Sequence, residues 1–153
     1  MIEGRHYQNA YITRNIDKAI AEFRNNADVQ NVMQYEGEVE VTTPKGTGKA
    51  VNKLAFIWIE NLQYELIQPV SGLCDIYRDE LPADDRLKFH HVCMRVPEWD
   101  GFRQRVRDKG YSVVLEGGGE FLKYIYIDAR QVLGHYLEYV WCTPERWTQM
   151  GGR

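Results

Sequence analysis

Residues 88–96 read KFHHVCMRV, and the adjacent His90 and His91 are suited to binding a divalent metal or carrying a proton near neutral pH. On a β-strand neighbouring side chains point to opposite faces, so at most one of the two can serve a given site. Val92, Met94 and Val96 form an apolar row fit to pack under a helix, which leaves His91, Cys93 and Arg95 on the other face. Two carboxylates stand in comparable settings, Glu65 within LQYELI (62–67) and Glu138 within HYLEYV (135–140). A carboxylate buried alone in an apolar strand is costly, and a cation shared with an imidazole removes that cost.

The elements that must position these side chains show up as an internal repeat. Residues 8–23 lie over residues 91–106 without a gap, each a strand running into a helix. In the first copy Ile16, Ala19, Ile20 and Phe23 make an amphipathic stripe, and in the second Trp99, Phe102 and Val106 follow it. Further on, 56–60 followed by 62–67 resembles 124–128 followed by 135–140, a hairpin in each half. Strand-like runs at 32–42 and 111–115, with turn signals at 44–48 and 117–119, complete the halves. The order strand, helix, three strands occurs twice, which predicts an α+β fold of two βαβββ modules forming a curled mixed sheet around a central cleft. The repeats span about 6–70 and 88–141 of a single domain over 1–153. Residues 71–87 join them, with a short helix expected at 73–81 and a loop at 82–85.

Register then selects the site. The repeat places Gln8 opposite His91, while alternation groups Glu65 with Gln63 and Ile67, and Glu138 with Tyr136 and Val140. If the two sheets curl toward each other, Gln8, Glu65, His91 and Glu138 converge, one polar ligand from each of four strands. His6 shares the parity of Gln8 and is its rival as ligand; His90 is expected on the surface or helix side, and His135 outside the ligand set. Phe56 and Trp58, with their repeat mates Tyr124 and Tyr126, are expected to line the cleft with Cys93, Arg95 and Tyr136. Such a cleft suits an apolar or aromatic small molecule, with Arg95 placed to hold an anion.

Composition narrows the partners. The 153 residues are 44% hydrophobic and carry a net charge of −3, which supports a real core and argues against a nucleic-acid or anionic-membrane surface. The longest apolar run, 54–59, is too short to span a bilayer, and MIEGRHYQ lacks the apolar segment of a signal peptide, so a cytoplasmic location is expected. Cys74, Cys93 and Cys142 have no CxxC spacing and are expected to be reduced thiols. The stretch PKGTGK (44–49) glances at a phosphate-binding loop, but its setting between two strands makes it a hairpin turn.

The motifs QNAYITRNIDKAI, YELIQP, FHHVCMRV and GHYLEYVW, in this order over roughly 6–141, resemble the vicinal oxygen chelate superfamily. That group includes glyoxalase I, methylmalonyl-CoA epimerase, bleomycin-resistance proteins and extradiol dioxygenases. Gln8, Glu65, His91 and Glu138 stand where its metal ligands occur, and the set is most similar to the glyoxalase–epimerase branch. The resemblance implies a divalent ion (Zn, Ni, Co, Mn or Fe) and a metal-dependent isomerase, epimerase or lyase, with Glu138, and as alternate Glu65, moving a proton next to a carbonyl. Extradiol dioxygenases need two histidines and one carboxylate, and Gln8 takes the place of one of those histidines. Ile12 and Pro69 stand where glyoxalase I uses an arginine and an asparagine on glutathione, so the resemblance does not extend to the residues that recognise glutathione. Non-catalytic binding or resistance and extradiol-type oxygenation are the alternative readings of the resemblance, and paired half-domains with exposed sheet edges lead to the expectation of a homodimer.

Overall fold

The structure, a computed structural model, describes residues 2–29 and 31–153. The first half contains β1 (Arg5–Ile12), α1 (Ile16–Asn26), β2 (Val32–Thr43), β3 (Gly46–Ile59) and β4 (Leu62–Gly72). A one-turn helix α2 (Asp75–Arg78) lies in the joining segment. The second half has β5 (Lys88–Arg95), α3 (Asp100–Asp108), β6 (Val113–Gly118), β7 (Leu122–Ile127), the short α4 (Arg130–Leu133), β8 (Tyr136–Cys142) and α5 (Pro144–Gln149). The sheet curls until it closes, in the order β1-β4-β3-β2-β6-β7-β8-β5. Pairs β1/β4 and β5/β8 are parallel and the rest antiparallel, so the sheet is mixed as the sequence predicts.

Each helix forms where its apolar stripe can cover the outside of the sheet. Asn15 caps α1 by accepting from Lys18 N at 3.1 Å. Ile16, Ala19 and Ile20 pack on Ala55, Ile57 and Leu66, while Phe102 and Val106 of α3 pack on Ile125, Ile127, Leu137 and Tyr139. Burying each of the Ile, Leu, Val and Phe side chains here contributes roughly 1.5–3 kcal/mol. With the outer faces covered, the alternate residues point into the barrel.

The halves meet unequally. β1 and β5 pair along their whole length, whereas β2 and β6 pair only through Val41–Gly117 and Thr42–Glu116. Residues 32–40 of β2 therefore have no second strand beside them, and the barrel gapes there. The joining helix is shorter than the expected 73–81: Leu73 N still bonds to Lys49 O, which keeps the chain in the ladder until it turns at Gly72. Gly72 has φ +78°, and any Cβ there would collide with the carbonyl oxygen of Lys49. No helix among the described residues is long and apolar enough to cross a membrane.

Candidate metal centre

Four adjacent strands, β4, β1, β5 and β8, form the floor of the interior and carry two neighbouring rows of side chains. One row runs Gln63, Gln8, Cys93, Glu138 and the next Glu65, Ala10, His91, Tyr136. Ala10, between Glu65 and His91, is fully buried in the cluster with Ile12, Tyr126 and Tyr136. His91 is fully buried, and Glu65 and Glu138 are 7% and 8% exposed. His91 Nε2 lies 3.1 Å from Glu138 Oε2 and 3.5 Å from Glu65 Oε2, and ligand atoms of all three fit within 4.8 Å of one another.

Gln8 lines the same cavity. Its Nε2 donates to Gln63 Oε1 at 2.6 Å, which leaves its buried Oε1 without a partner; Glu65 Oε2 has only the long 3.5 Å contact to His91 Nε2. Orphaned buried oxygens are rare because each forfeits its hydration. Burial alone would lower the basicity of His91, but the hydrogen bonds and charges of Glu138 and Glu65 outweigh it and push its pKa up to about 9. Burial, reinforced by Glu138, raises the Glu65 carboxyl despite its contact with His91. Two carboxylates with one imidazolium leave a buried net charge of −1, whereas two carboxylates with a divalent cation and a neutral imidazole are balanced. Carboxylate and amide oxygens with one imidazole nitrogen suit a hard or borderline divalent ion. The residues present therefore fit a metal.

His90 departs from its expected place on the surface or helix side and turns inward. It is 3% exposed, its Nδ1 is 2.9 Å from His91 Nδ1, and its Nε2 is 2.9 Å from Ile76 O. The cause is a β-bulge: Ala10 pairs with His91 and Tyr11 with Phe89, so His90 is an extra residue and alternation fails locally. A matching bulge at Tyr7, between the pairs His6–Met94 and Gln8–Cys93, turns Tyr7 inward beside Gln8. His6 is left outside, exposed, with its Nε2 2.8 Å from Asn9 Oδ1. His135 contacts its neighbour's carbonyl, Tyr136 O, at 2.7 Å and does not line the cavity.

The cavity above the floor measures about 520 Å³. Phe56, Tyr124 and Tyr126 line it, as the alternation of β3 and β7 predicts, together with Met33, Tyr35 and Leu54. Four residues expected there lie elsewhere. Trp58 donates from Nε1 to Met150 O at 2.8 Å and is covered by α5; Arg95 stacks 4.3 Å over the Trp147 ring; Cys93 is sealed beneath Tyr7, Sγ to hydroxyl 3.5 Å. Tyr136 stacks on His90 at 4.8 Å in the apolar cluster with Ala10 and Ile12. The common reason for the first two is α5, whose Trp147 plugs that end of the barrel. Its start was readable in Thr143-Pro144: Thr143 accepts from Arg146 N, and Pro stands at the first turn.

Tyr7 and Tyr77 join the centre without a warning in the periodicity. Tyr77 of α2 donates to the Tyr126 hydroxyl at 2.9 Å, and that hydroxyl lies 3.5 Å from His91 Nε2. Burial holds the Tyr7, Tyr77 and Tyr126 phenols well above their usual pKa, so all three are neutral hydrogen-bonding groups. At the mouth stand Arg146, Gln149 and Met150.

The family model of the Glyoxalase/Bleomycin resistance protein/Dioxygenase superfamily matches residues 7–124. The chain belongs to that superfamily. Solved structures similar to this superfamily member include methylmalonyl-CoA epimerase from Mycobacterium tuberculosis, with a TM-score of 0.66, 15% identity and 97% of each chain covered. A variant of the Streptomyces coelicolor methylmalonyl-CoA epimerase in complex with 2-nitronate-propionyl-CoA gives 0.65 at 15% identity, covering 92% of this chain and 96% of that one. A hypothetical protein from Bacillus halodurans gives 0.63 at 14%, covering 91% and 94%. At such identities these neighbours show the fold alone. A sequence search among curated proteins returns no match.

Proposed function

We propose that this superfamily member is a metal-dependent isomerase, epimerase or lyase acting next to a carbonyl. The observation that carries the reading is the buried cluster of Glu65, His91 and Glu138, with the orphaned Gln8 Oε1 lining the same cavity. These four residues would hold the ion. A divalent ion there supplies Lewis acidity, polarising a substrate carbonyl and lowering the cost of negative charge on its oxygen.

The chain's own groups do the rest. Glu138, or as alternate Glu65, takes the proton from the carbon beside the carbonyl and returns it to that carbon or its neighbour. The raised pKa of Glu65 moves it toward the range in which a carboxyl can both accept and give back a proton. The neutral hydroxyls of Tyr77 and Tyr126 can orient a substrate oxygen, and the aromatic walls keep water from the reacting carbon. Structures similar in fold are named methylmalonyl-CoA epimerases, which favours the epimerase form of the reaction within the superfamily. Arg146 replaces Arg95 as the cation that can meet an anionic end of the substrate at the mouth. The length of β2 without a second strand, which carries the exposed Met33, Tyr35 and Val39, is the surface on which a homodimer would form.

A second reading, non-catalytic capture of an aromatic ligand, draws on Met33, Leu54, Phe56 and Tyr124 in the cavity wall. Metal analysis of the purified protein, followed by solvent-deuterium exchange into candidate carbonyl compounds, separates the two. Bound metal with exchange supports catalysis; ligand binding without exchange supports capture; loss of both metal and exchange after reconstitution rejects the metal reading.

A further inference from the structure

We infer that His90 is the positioning residue of the centre: held by the carbonyl of Ile76, it accepts the Nδ1–H of His91 and so reserves Nε2 of His91, which faces Glu65 and Glu138, as the nitrogen that binds a cation. The inference rests on the metal-centre reading and adds the tautomer of the histidine ligand and the residue that fixes it.

The argument is one of proton counting. A carbonyl oxygen only accepts, so the 2.9 Å contact to Ile76 O requires a proton on His90 Nε2. A neutral imidazole has one N–H, so His90 Nδ1 is then an acceptor. The 2.9 Å contact between the two Nδ1 atoms needs one proton, and His91 must supply it. With Nδ1 committed to His90, His91 Nε2, 3.1 Å from Glu138 and 3.5 Å from Glu65, is the nitrogen whose proton a cation would replace. A doubly protonated His90 would reverse the direction, but its surroundings disfavour the charge. The rings of Tyr77 and Tyr136 lie 5.2 and 4.8 Å away, Lys88 and Arg130 add positive potential, and both carboxylates face His91 instead.

The local fold serves the same end. Without the bulge His90 would point away from the interior, and bulges characteristically re-aim a side chain beside a site. The Tyr136 ring, at an interplanar angle of 24°, fixes the plane of His90. Ile76 and Tyr77 are neighbours on α2, so the segment joining the halves reaches the centre twice, through His90 and through Tyr126. Partners that hold the second nitrogen of a metal-binding histidine typically change metal affinity by about 10–100-fold when removed.

The test uses zinc and the ¹⁵N-labelled full chain. Long-range ¹H–¹⁵N correlation of the zinc-loaded protein should show His91 bound through Nε2, with a slowly exchanging proton on Nδ1. His90→Phe, which keeps a ring but removes both nitrogens, should weaken zinc binding by about 10–100-fold and abolish that protection. His90→Asn, whose amide oxygen falls near the place of Nδ1, should recover most of the affinity. Zinc bound through His91 Nδ1, or His90→Phe binding zinc as tightly as the parent, would overturn the inference while leaving the metal centre intact. A parent protein that binds no zinc would overturn the reading beneath it. If His90→Phe fails to fold by circular dichroism, the tautomer in the parent and the affinity of His90→Asn still decide the matter.

Discussion

Tyr7 and His90 are the extra residues of two β-bulges in one antiparallel strand pair, β1 with β5. The repeat that aligns Gln8 with His91 also aligns Tyr7 with His90. Each half therefore carries its bulge at the same place, immediately before its candidate ligand. The result is two inward-facing neighbours per strand: Tyr7 and Gln8 are 3% exposed, as is His90, and His91 is fully buried.

The paired carboxylates should separate by role. Glu138→Gln and Glu65→Gln are each expected to lower metal occupancy. The proton carrier of the two should also lose about 10²–10⁴-fold in deuterium exchange beyond what lost metal explains. Exchange rates per bound metal check this, and equal rates per metal in both variants would count against carboxylate proton transfer.

The pattern of residues was legible where periodicity ruled and illegible where it broke. The stripes of α1 and α3, the hairpins and the inward rows of Glu65 and Glu138 all follow from alternation and helical period, which are properties of unbroken elements. A bulge adds one residue and shifts parity beyond it, and nothing in KFHHVCMRV announces one, so simple alternation misplaces His90. Trp58 and Arg95 do lie on the inward parity, but parity says nothing of what a later segment lays over them, and α5 covers both. Tyr77 comes from a joining segment with no repeat mate, so only tertiary structure brings it to Tyr126.

Trp147 should prove structural. It meets Tyr7 edge-on at 4.9 Å and Trp58 at 6.1 Å, and carries Arg95 on its face. Trp147→Ala is expected to cost about 3–5 kcal/mol in chemical denaturation, the usual range for emptying a buried aromatic site. A loss under about 1 kcal/mol would mean that α5 is not a fixed plug.

Arg146, at the cavity mouth and in no ion pair among the described residues, should select for charge. Arg146→Ala is expected to raise the KM or Kd of a carboxylate-bearing ligand by about tenfold, in keeping with a charge-assisted hydrogen bond, and to leave its uncharged amide analogue unaffected. Equal effects on both analogues would place the anion elsewhere.

Glu80 ties the joining segment to the second half, 2.8 Å from Lys88 Nζ and 2.6 Å from Arg130. The hydrogen bond from Lys88, and then that from Arg130, hold its carboxyl below the usual carboxylate range. A depressed folded-state pKa contributes stability that is present above the unfolded value of 4.5 and is lost as pH falls through the folded value. Glu80→Gln should therefore cost about 0.5–1 kcal/mol at neutral pH, and the difference from the parent should vanish in acid, as read by urea midpoints.

Anomalous scattering from a zinc-soaked crystal tests the proposed centre most directly. The expected result is one peak about 2.0–2.2 Å from His91 Nε2 and from oxygens of Glu65, Glu138 and Gln8. No peak between these side chains, or a zinc held by His6 or His135 instead, would contradict it.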